Sequence, residues 1–212
     1  MPVPVEISGL IVPMKQPRAG KSRLRGAVDE RDHPALVLAL AWDTLAAVTA
    51  AGVPRVVVVA ADPAAVSGLR RPGVEIVGER GPGDLNSALR QGEALLRERD
   101  PAGVVGAIQA DLPALRPADL AAAVAAADGA RAFVADAEGT GTTLLLSAAG
   151  GPLDPRFGPG SAPAHAQSGA APLALAVPSL RRDVDTPADL AEARELGVGA
   201  RTRALLRARE VA

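Results

Sequence analysis

Four consecutive valines, Val56 to Val59, leave this chain few options. β-Branched side chains are stiff at χ1 and suit the pleated surface of a strand. A strand with no polar position has no face to offer water, so it must be covered on both sides, as strands of a parallel sheet are. Residues 8–14, 74–77, 104–109 and 131–135 supply further strand-like runs. Between them lie helix-like stretches. Residues 34–51 are apolar on every face, as a well-buried helix would be, and residues 85–99 put Leu85, Leu89 and Leu96 inward against Arg90, Glu93, Arg97 and Glu98. Short and longer helices are expected at 63–69 and 117–127. After residue 135 the alternation weakens. Strands at 142–147 and 173–177, a loop at 150–160, a helix at 187–196 and a basic terminal helix complete the pattern. Repeated βα units predict an α/β fold, Rossmann-like, with a mostly parallel, mixed sheet in a single domain over residues 1–212.

Composition narrows the function. Nearly half of the 212 residues are hydrophobic (48%), yet only one Trp and two Phe are aromatic, so the core must be Val, Leu, Ile and Ala. That inventory cannot build a stacking platform for single-stranded nucleic acid, and a net charge of −1 provides no basic footprint for a duplex. Without Cys and with two His, thiolate metal sites are excluded. No apolar run of membrane-spanning length is free of charge, and the first residues lack a signal-peptide pattern, so no membrane association and a cytoplasmic location are expected.

Three acids fall where strands are expected to end. Asp111 closes the run ending at Gln109, and Asp183 and Asp185 follow a strand-like stretch at 180–182. Ligands of open α/β sheets bind outside the carboxyl ends of the strands, and Mg²⁺ takes carboxylate and phosphate oxygens together. In an extended segment, residues two apart share a face. Each acid also has a purely structural reading. Asp111 before Leu112-Pro113 suits a turn, and Thr186-Pro187-Ala188-Asp189 is a helix start with a capping box, which partly accounts for Asp185. Asp183 has no such explanation, because two like charges on one face repel unless a cation intervenes.

The first strand runs into Lys15-Gln16-Pro17-Arg18-Ala19-Gly20-Lys21-Ser22-Arg23-Leu24-Arg25, five cations without an acid. Such a loop suits a triphosphate and its pyrophosphate leaving group. It falls short of a P-loop, since Lys15 stands where a Gly is required and Pro17 removes an amide. Gly78 to Asn86 joins the third strand to a helix, with Asp84 as a cap and Asn86 able to hydrogen-bond a base or ribose. Gly139-Thr140-Gly141-Thr142-Thr143 and Arg156-Phe157-Gly158-Pro159-Gly160-Ser161 offer amides and hydroxyls to a phosphate or carboxylate. His165 lies one turn beyond Ser161, and a surface position serves it equally well.

Taken in order, these segments resemble the 2-phospholactate or phosphoenolpyruvate guanylyltransferase family of coenzyme F420 biosynthesis, whose fold is like that of molybdenum-cofactor guanylyltransferases. The resemblance runs from about Leu10 to Leu196. It implies a nucleotidyltransferase that moves GMP from GTP to phosphoenolpyruvate and releases pyrophosphate. It further implies Mg²⁺ on Asp111, Asp183 and Asp185, and the acceptor on Thr142, Gly158 and Ser161. GTP phosphates are expected at Lys15, Lys21 and Arg23, with Lys21 and Arg23 acting in catalysis, and guanine on the side of Asn86. A downstream transferase of the F420 pathway would receive the product. 2-Phospholactate and 3-phosphoglycerate remain alternative acceptors. The rival readings are a nucleotidyltransferase for molybdopterin or a sugar phosphate, and a non-catalytic nucleotide-binding module. Ala162-Pro163-Ala164-His165 is less basic than the family's usual segment there, which leaves the acceptor's charge partner open.

Overall fold

The computed structural model describes residues 7–17, 24, 29, 31–81 and 83–210. Seven strands are seen among them: β1 (Ile7–Met14), β2 (Val56–Ala60), β3 (Val74–Gly78), β4 (Val104–Ile108), β5 (Ala132–Ala135), β6 (Thr142–Leu146) and β7 (Ala171–Pro172). They form one sheet in the order β3-β2-β1-β4-β6-β5-β7. All run the same way except β6, which is antiparallel to both β4 and β5. The valine run is β2, buried at every position between β1 and β3, as a two-sided strand must be.

The helices are α1 (His33–Ala50), α2 (Leu85–Arg97), α3 (Pro117–Ala127), α4 (Ser161–Gln167), α5 (Pro178–Arg181), α6 (Pro187–Leu196) and α7 (Ala200–Glu210). Two hydrophobic layers sandwich the sheet. Leu10, Val12, Val56 and Val58 face Leu45 and Val48 of α1, Leu120 of α3 and Leu180 of α5. Ile11, Val57, Val59 and Val105 face Leu89 and Leu96 of α2 and Ala162 of α4. Each fully buried Leu or Ile contributes about 1.5–3 kcal/mol, so a core with only two Phe is sufficient when it is this contiguous. Gly92 lets α2 lie directly on β1, because a Cβ there would overlap Ile11.

A third cluster explains why α1 is apolar all round. Its far side, Leu36 and Leu40, packs on Val184, Leu190, Ala193, Val198 and Leu206 around α6 and α7. This is the one described helix long and apolar enough to cross a membrane, and 56% of it is buried inside the fold. It also carries a buried carboxylate, Asp43, whose oxygens accept the N–H groups of Arg201 (3.1 Å) and Thr202 (2.8 Å) at the start of α7.

Four sequence expectations differ from the structure. Residues 180–182 are not a strand: Pro178 stands at the first position of α5, where its fixed φ favours a helical turn, and buried Leu180 anchors it. Residues 173–177 extend no ladder. Leu173 N–H still reaches Phe133 O at 2.9 Å, but β5 ends two residues later and Leu175 N–H turns back to Leu173 O. Residues 63–69 hold only turns and a 3₁₀ turn at Ser67–Leu69, with Asp62 Oδ1 taking the amides of Ala64 and Ala65. Glu93 and Arg97 do not simply face water. Glu93 accepts from Leu153 N–H at 2.8 Å, and Arg97 donates to Gly103 O, Gly151 O and Ser147 Oγ, clamping two loops.

Candidate active site

From β1 the chain builds β2 and β3 on one side and then places β4 on the other, so the carboxyl ends of β1 and β4 form a topological switch point. Lys15, exposed, follows β1, and Asp111, 6% exposed, follows β4. The antiparallel course of β6 brings its first residue, Thr142, to this same edge.

Asp111 is held from both sides. Thr44 Oγ1 of α1 lies 3.1 Å from Ala110 O and accepts from Leu112 N–H at 2.9 Å. Val184 N–H donates to Asp111 O at 3.0 Å, which draws the segment bearing Asp183 and Asp185 to the end of β4. Val184 is fully buried and its two acidic neighbours are half-buried, an alternation that sets both acids on the same side. The expected capping box forms as well: Thr186 caps α6, and Asp189 Oδ2 takes the amides of Asp185 (3.1 Å) and Thr186 (2.8 Å). Asp185 is thus placed by its main chain and not used as the cap. Among the described residues, no three of His, Cys, Asp and Glu gather as closely as a metal site requires. The donor set is nonetheless all carboxylate, the chemistry Mg²⁺ takes, and Mg²⁺ commonly uses one or two carboxylates with substrate phosphates completing its shell.

The two small-residue loops meet. Asp136 organises the turn between β5 and β6 by accepting Thr140 N–H (2.8 Å) and Gly141 N–H (2.7 Å). Ala162 N–H of α4 donates to Thr140 O at 3.1 Å. Thr142 Oγ1 lies 2.9 Å from His165 Nδ1, and Arg156 N–H donates to His165 Nε2 at 2.9 Å. The β5–β6 turn that leads to Thr142 and the loop and helix that carry Gly158 and Ser161 are therefore tied to each other. Ser161 is the first residue of α4, after Gly160, and its hydroxyl has no partner among the described residues, so it is not a cap. Gly158 has φ +139° and open space where a Cβ would stand. His165 is fully buried against Phe157 and Phe133, not on the surface. Burial, then the nearby Arg131 charge, pushes its pKa down to about 4.

Arginines join the acidic segment to this pocket. Arg181 donates to Asp136 O through Nη2 at 2.8 Å. Arg182 bridges Glu138 (2.8 Å), Asp189 (3.3 Å) and Glu192 (2.7 Å). Burial works against the Arg182 charge, but Glu138, Glu192 and Asp189 together outweigh it and raise its pKa. Its charge is committed to these three acids.

The site residues predicted from sequence separate into three groups. Asp111 with Asp183 and Asp185, and Thr142 with Gly158 and Ser161, are brought together in pairs of segments at one sheet edge, with Lys15 on the neighbouring strand end. Lys21 and Arg23 lie outside the described residues. Asn86 is placed differently: its Oδ1 accepts Phe157 N–H at 2.8 Å and its Nδ2 donates to Phe157 O at 3.0 Å. Both ends of the amide pin the loop at Phe157 to the start of α2, a structural role in place of the expected contact with a base. Sequence reasoning missed the structural parts of Arg181, Arg182 and His165. The only signal for His165 was its one-turn distance from Ser161.

The sequence and fold have close counterparts. A phosphoenolpyruvate guanylyltransferase of Streptomyces scabiei is 52% identical over 92% of this chain and 94% of its own length, and one of Salinispora arenicola is 50% identical over 92% of both. Among solved structures, a putative nucleotide-diphospho-sugar transferase of Desulfovibrio desulfuricans superposes with a TM-score of 0.73 at 16% identity, covering 97% of this chain and 96% of that one. A nucleotidyl transferase of Methanothermobacter thermautotroptrophicus gives 0.54 at 20% identity over 88% and 96%. These likenesses show the nucleotidyltransferase-type α/β fold. The model of the family described as "Guanylyl transferase CofC like" matches residues 8–211, and the chain belongs to that family.

Proposed function

We propose that this protein transfers GMP from GTP to phosphoenolpyruvate and releases pyrophosphate, a step of coenzyme F420 biosynthesis. The observation that supports the reading is a pair of ties along one sheet edge: Val184 to Asp111 after β4, and Arg181 to Asp136 after β5, which link the acidic segment to the ends of two strands. The relatives named phosphoenolpyruvate guanylyltransferase, similar over more than nine-tenths of the chain, support the same acceptor.

A phosphate oxygen of the acceptor attacks the α-phosphorus of GTP. A new P–O bond forms, the bond from the α-phosphorus to the α–β bridging oxygen breaks, and pyrophosphate departs with that oxygen. The acceptor phosphate is already an anion at neutral pH, so no general base is needed. The site agrees: His165 has both ring nitrogens engaged and is unsuited to take a proton. Catalysis is positioning and charge neutralisation. Mg²⁺ held by one or two of Asp111, Asp183 and Asp185, with substrate phosphates completing its shell, would supply charge neutralisation at the phosphates. Lys15, with Lys21 and Arg23, serves the triphosphate, and Thr142, Gly158 and Ser161 hold the three-carbon acid. The protein acts in the cytoplasm on small molecules and passes its product to a transferase that uses the activated acid.

Incubation with GTP, Mg²⁺ and phosphoenolpyruvate, 2-phospholactate or 3-phosphoglycerate in turn tests this, with pyrophosphate followed and products resolved by mass. Phosphoenolpyruvate should give a guanylylated product at the highest kcat/KM. A preference for CTP or UTP, or no pyrophosphate with any acceptor, would sink the reading. Asp183→Ala should reduce turnover at least a hundredfold while leaving thermal stability near wild type. Wild-type turnover at limiting Mg²⁺ would remove Asp183 from the metal.

A further inference from the structure

His165 is a buried titratable group that the reaction does not use as a base, and its two ring nitrogens fix the direction of a hydrogen-bond chain. The main-chain N–H of Arg156 points at Nε2 from 2.9 Å. An N–H can only donate, so Nε2 carries no proton. Full burial and the neighbouring Arg131 and Arg156 charges keep the ring neutral, with a pKa of about 4. A neutral imidazole with a bare Nε2 bears its proton on Nδ1, which faces Thr142 Oγ1 at 2.9 Å. Nδ1–H therefore donates, and the Thr142 oxygen accepts. The hydroxyl's own proton must then go elsewhere, and no acceptor for it is found among the described residues.

Thr142 opens β6 at the ligand edge, and Thr140 two residues earlier is tied to α4 beside Ser161. We propose that His165 is a positioning residue that, held as the Nδ1–H tautomer, makes the Thr142 hydroxyl an obligate donor to an anionic oxygen of the phosphorylated acceptor. This rests on the acceptor pocket assigned above. The opposite tautomer would take the Thr142 proton for its own lone pair and turn an oxygen lone pair toward the anion. Arg156 N–H prevents that exchange from the far side of the ring, and the edge of Phe157, 5.0 Å away, holds the ring plane. The pin from Asn86 to Phe157 extends the same frame to α2. Four segments thus set the direction of a single O–H bond.

The tautomer is read directly by long-range ¹H–¹⁵N correlation on ¹⁵N-histidine protein at pH 7, with His165→Asn separating His165 from His33. We expect a protonated Nδ1 and a bare Nε2. Free histidine in water favours the reverse, so a protonated Nε2 overturns the proposal. In steady-state assays Thr142→Val, which keeps shape and strand preference, should raise the acceptor KM about tenfold or more with the KM for GTP unchanged. Thr142→Ser should restore it. His165→Asn keeps a donor near Nδ1, and His165→Gln keeps an acceptor near Nε2, so Gln should raise the acceptor KM more than Asn. A wild-type acceptor KM in Thr142→Val, or equal losses in the two His165 variants, overturns the proposal while leaving the guanylyltransferase reading intact. Failure of the unmutated protein to guanylylate any of the three acids overturns both, and is recognised because no substitution is involved.

Discussion

A hydroxyl without a partner among the described residues and a glycine three residues before it constrain the proposed acceptor pocket in different ways. Ser161 Oγ is a donor in waiting, and losing one hydrogen bond to a charged ligand costs about 1.5–3 kcal/mol. Ser161→Ala should therefore raise the acceptor KM about ten- to a hundredfold and leave the KM for GTP alone. If GTP affinity moved instead, the two pockets would have to be exchanged. Gly158→Val should be worse, because φ +139° is strained for any side chain and the open space above it is where the ligand would lie. The sequence marked these residues through the family resemblance and as small side chains gathered in a loop, and the structure ties their segment to the β5–β6 turn. Asn86 was not. An Asn in the first turn of a helix looks alike whether its amide meets a base or the main chain, and here that depends on the approach of Phe157, 71 residues away. His165 was opaque for the same reason: its bonds run to Thr142 and Arg156, which only the fold assembles.

At the scale of elements, one carboxylate joins the apolar contacts in attaching α7 to α1. Asp43 accepts the first amides of α7, where a negative charge also favours the helix dipole. Asp43→Ala leaves those buried donors unpaired and should lower unfolding free energy by about 1–3 kcal/mol in urea titrations. Gly199→Ala should also destabilise, since a Cβ at that position would overlap the Asp43 carboxylate. The sole tryptophan reports on this joint. The guanidiniums of Arg71 and Arg201 lie over the Trp42 ring, 4.0 and 4.8 Å from its centroid, so its fluorescence should shift in Asp43→Ala before global unfolding. An unchanged emission maximum would mean that α7 is held by its apolar face alone. The buried character of α1 was readable from its unbroken apolar surface. Residues 173–177 and 180–182 misled because an alternating or apolar run specifies a strand only where a neighbouring strand still offers amides and carbonyls, and β5 is four residues long.

For the whole molecule, the parallel half of the sheet was legible because its strands are covered on both sides and their runs carry no polar face. The reversed β6 was not, because direction leaves no mark on composition. The folded state also has a dependence on acidity that composition hides. His165 is held to a pKa of about 4 against an ordinary 6.5, chiefly by burial. Above pH 6.5 the imidazole is neutral in both states and its contribution is complete. Between 6.5 and 4 the unfolded chain takes up a proton that the folded chain refuses, so stability falls as pH drops through that window. Urea midpoints for wild type should decline from pH 7.5 to 4.5 more steeply than those of His165→Asn, and parallel declines would contradict the shift. The order of the segments along the chain has a separate consequence for synthesis. All seven described strands have been synthesised once residue 172 is translated, whereas Asp183 and Asp185 follow them and the amides that receive Asp43 come later still. On the proposed function, a product released there carries its strands but lacks two of the three acids for the transfer, so an unfinished copy would draw nothing from the cell's GTP.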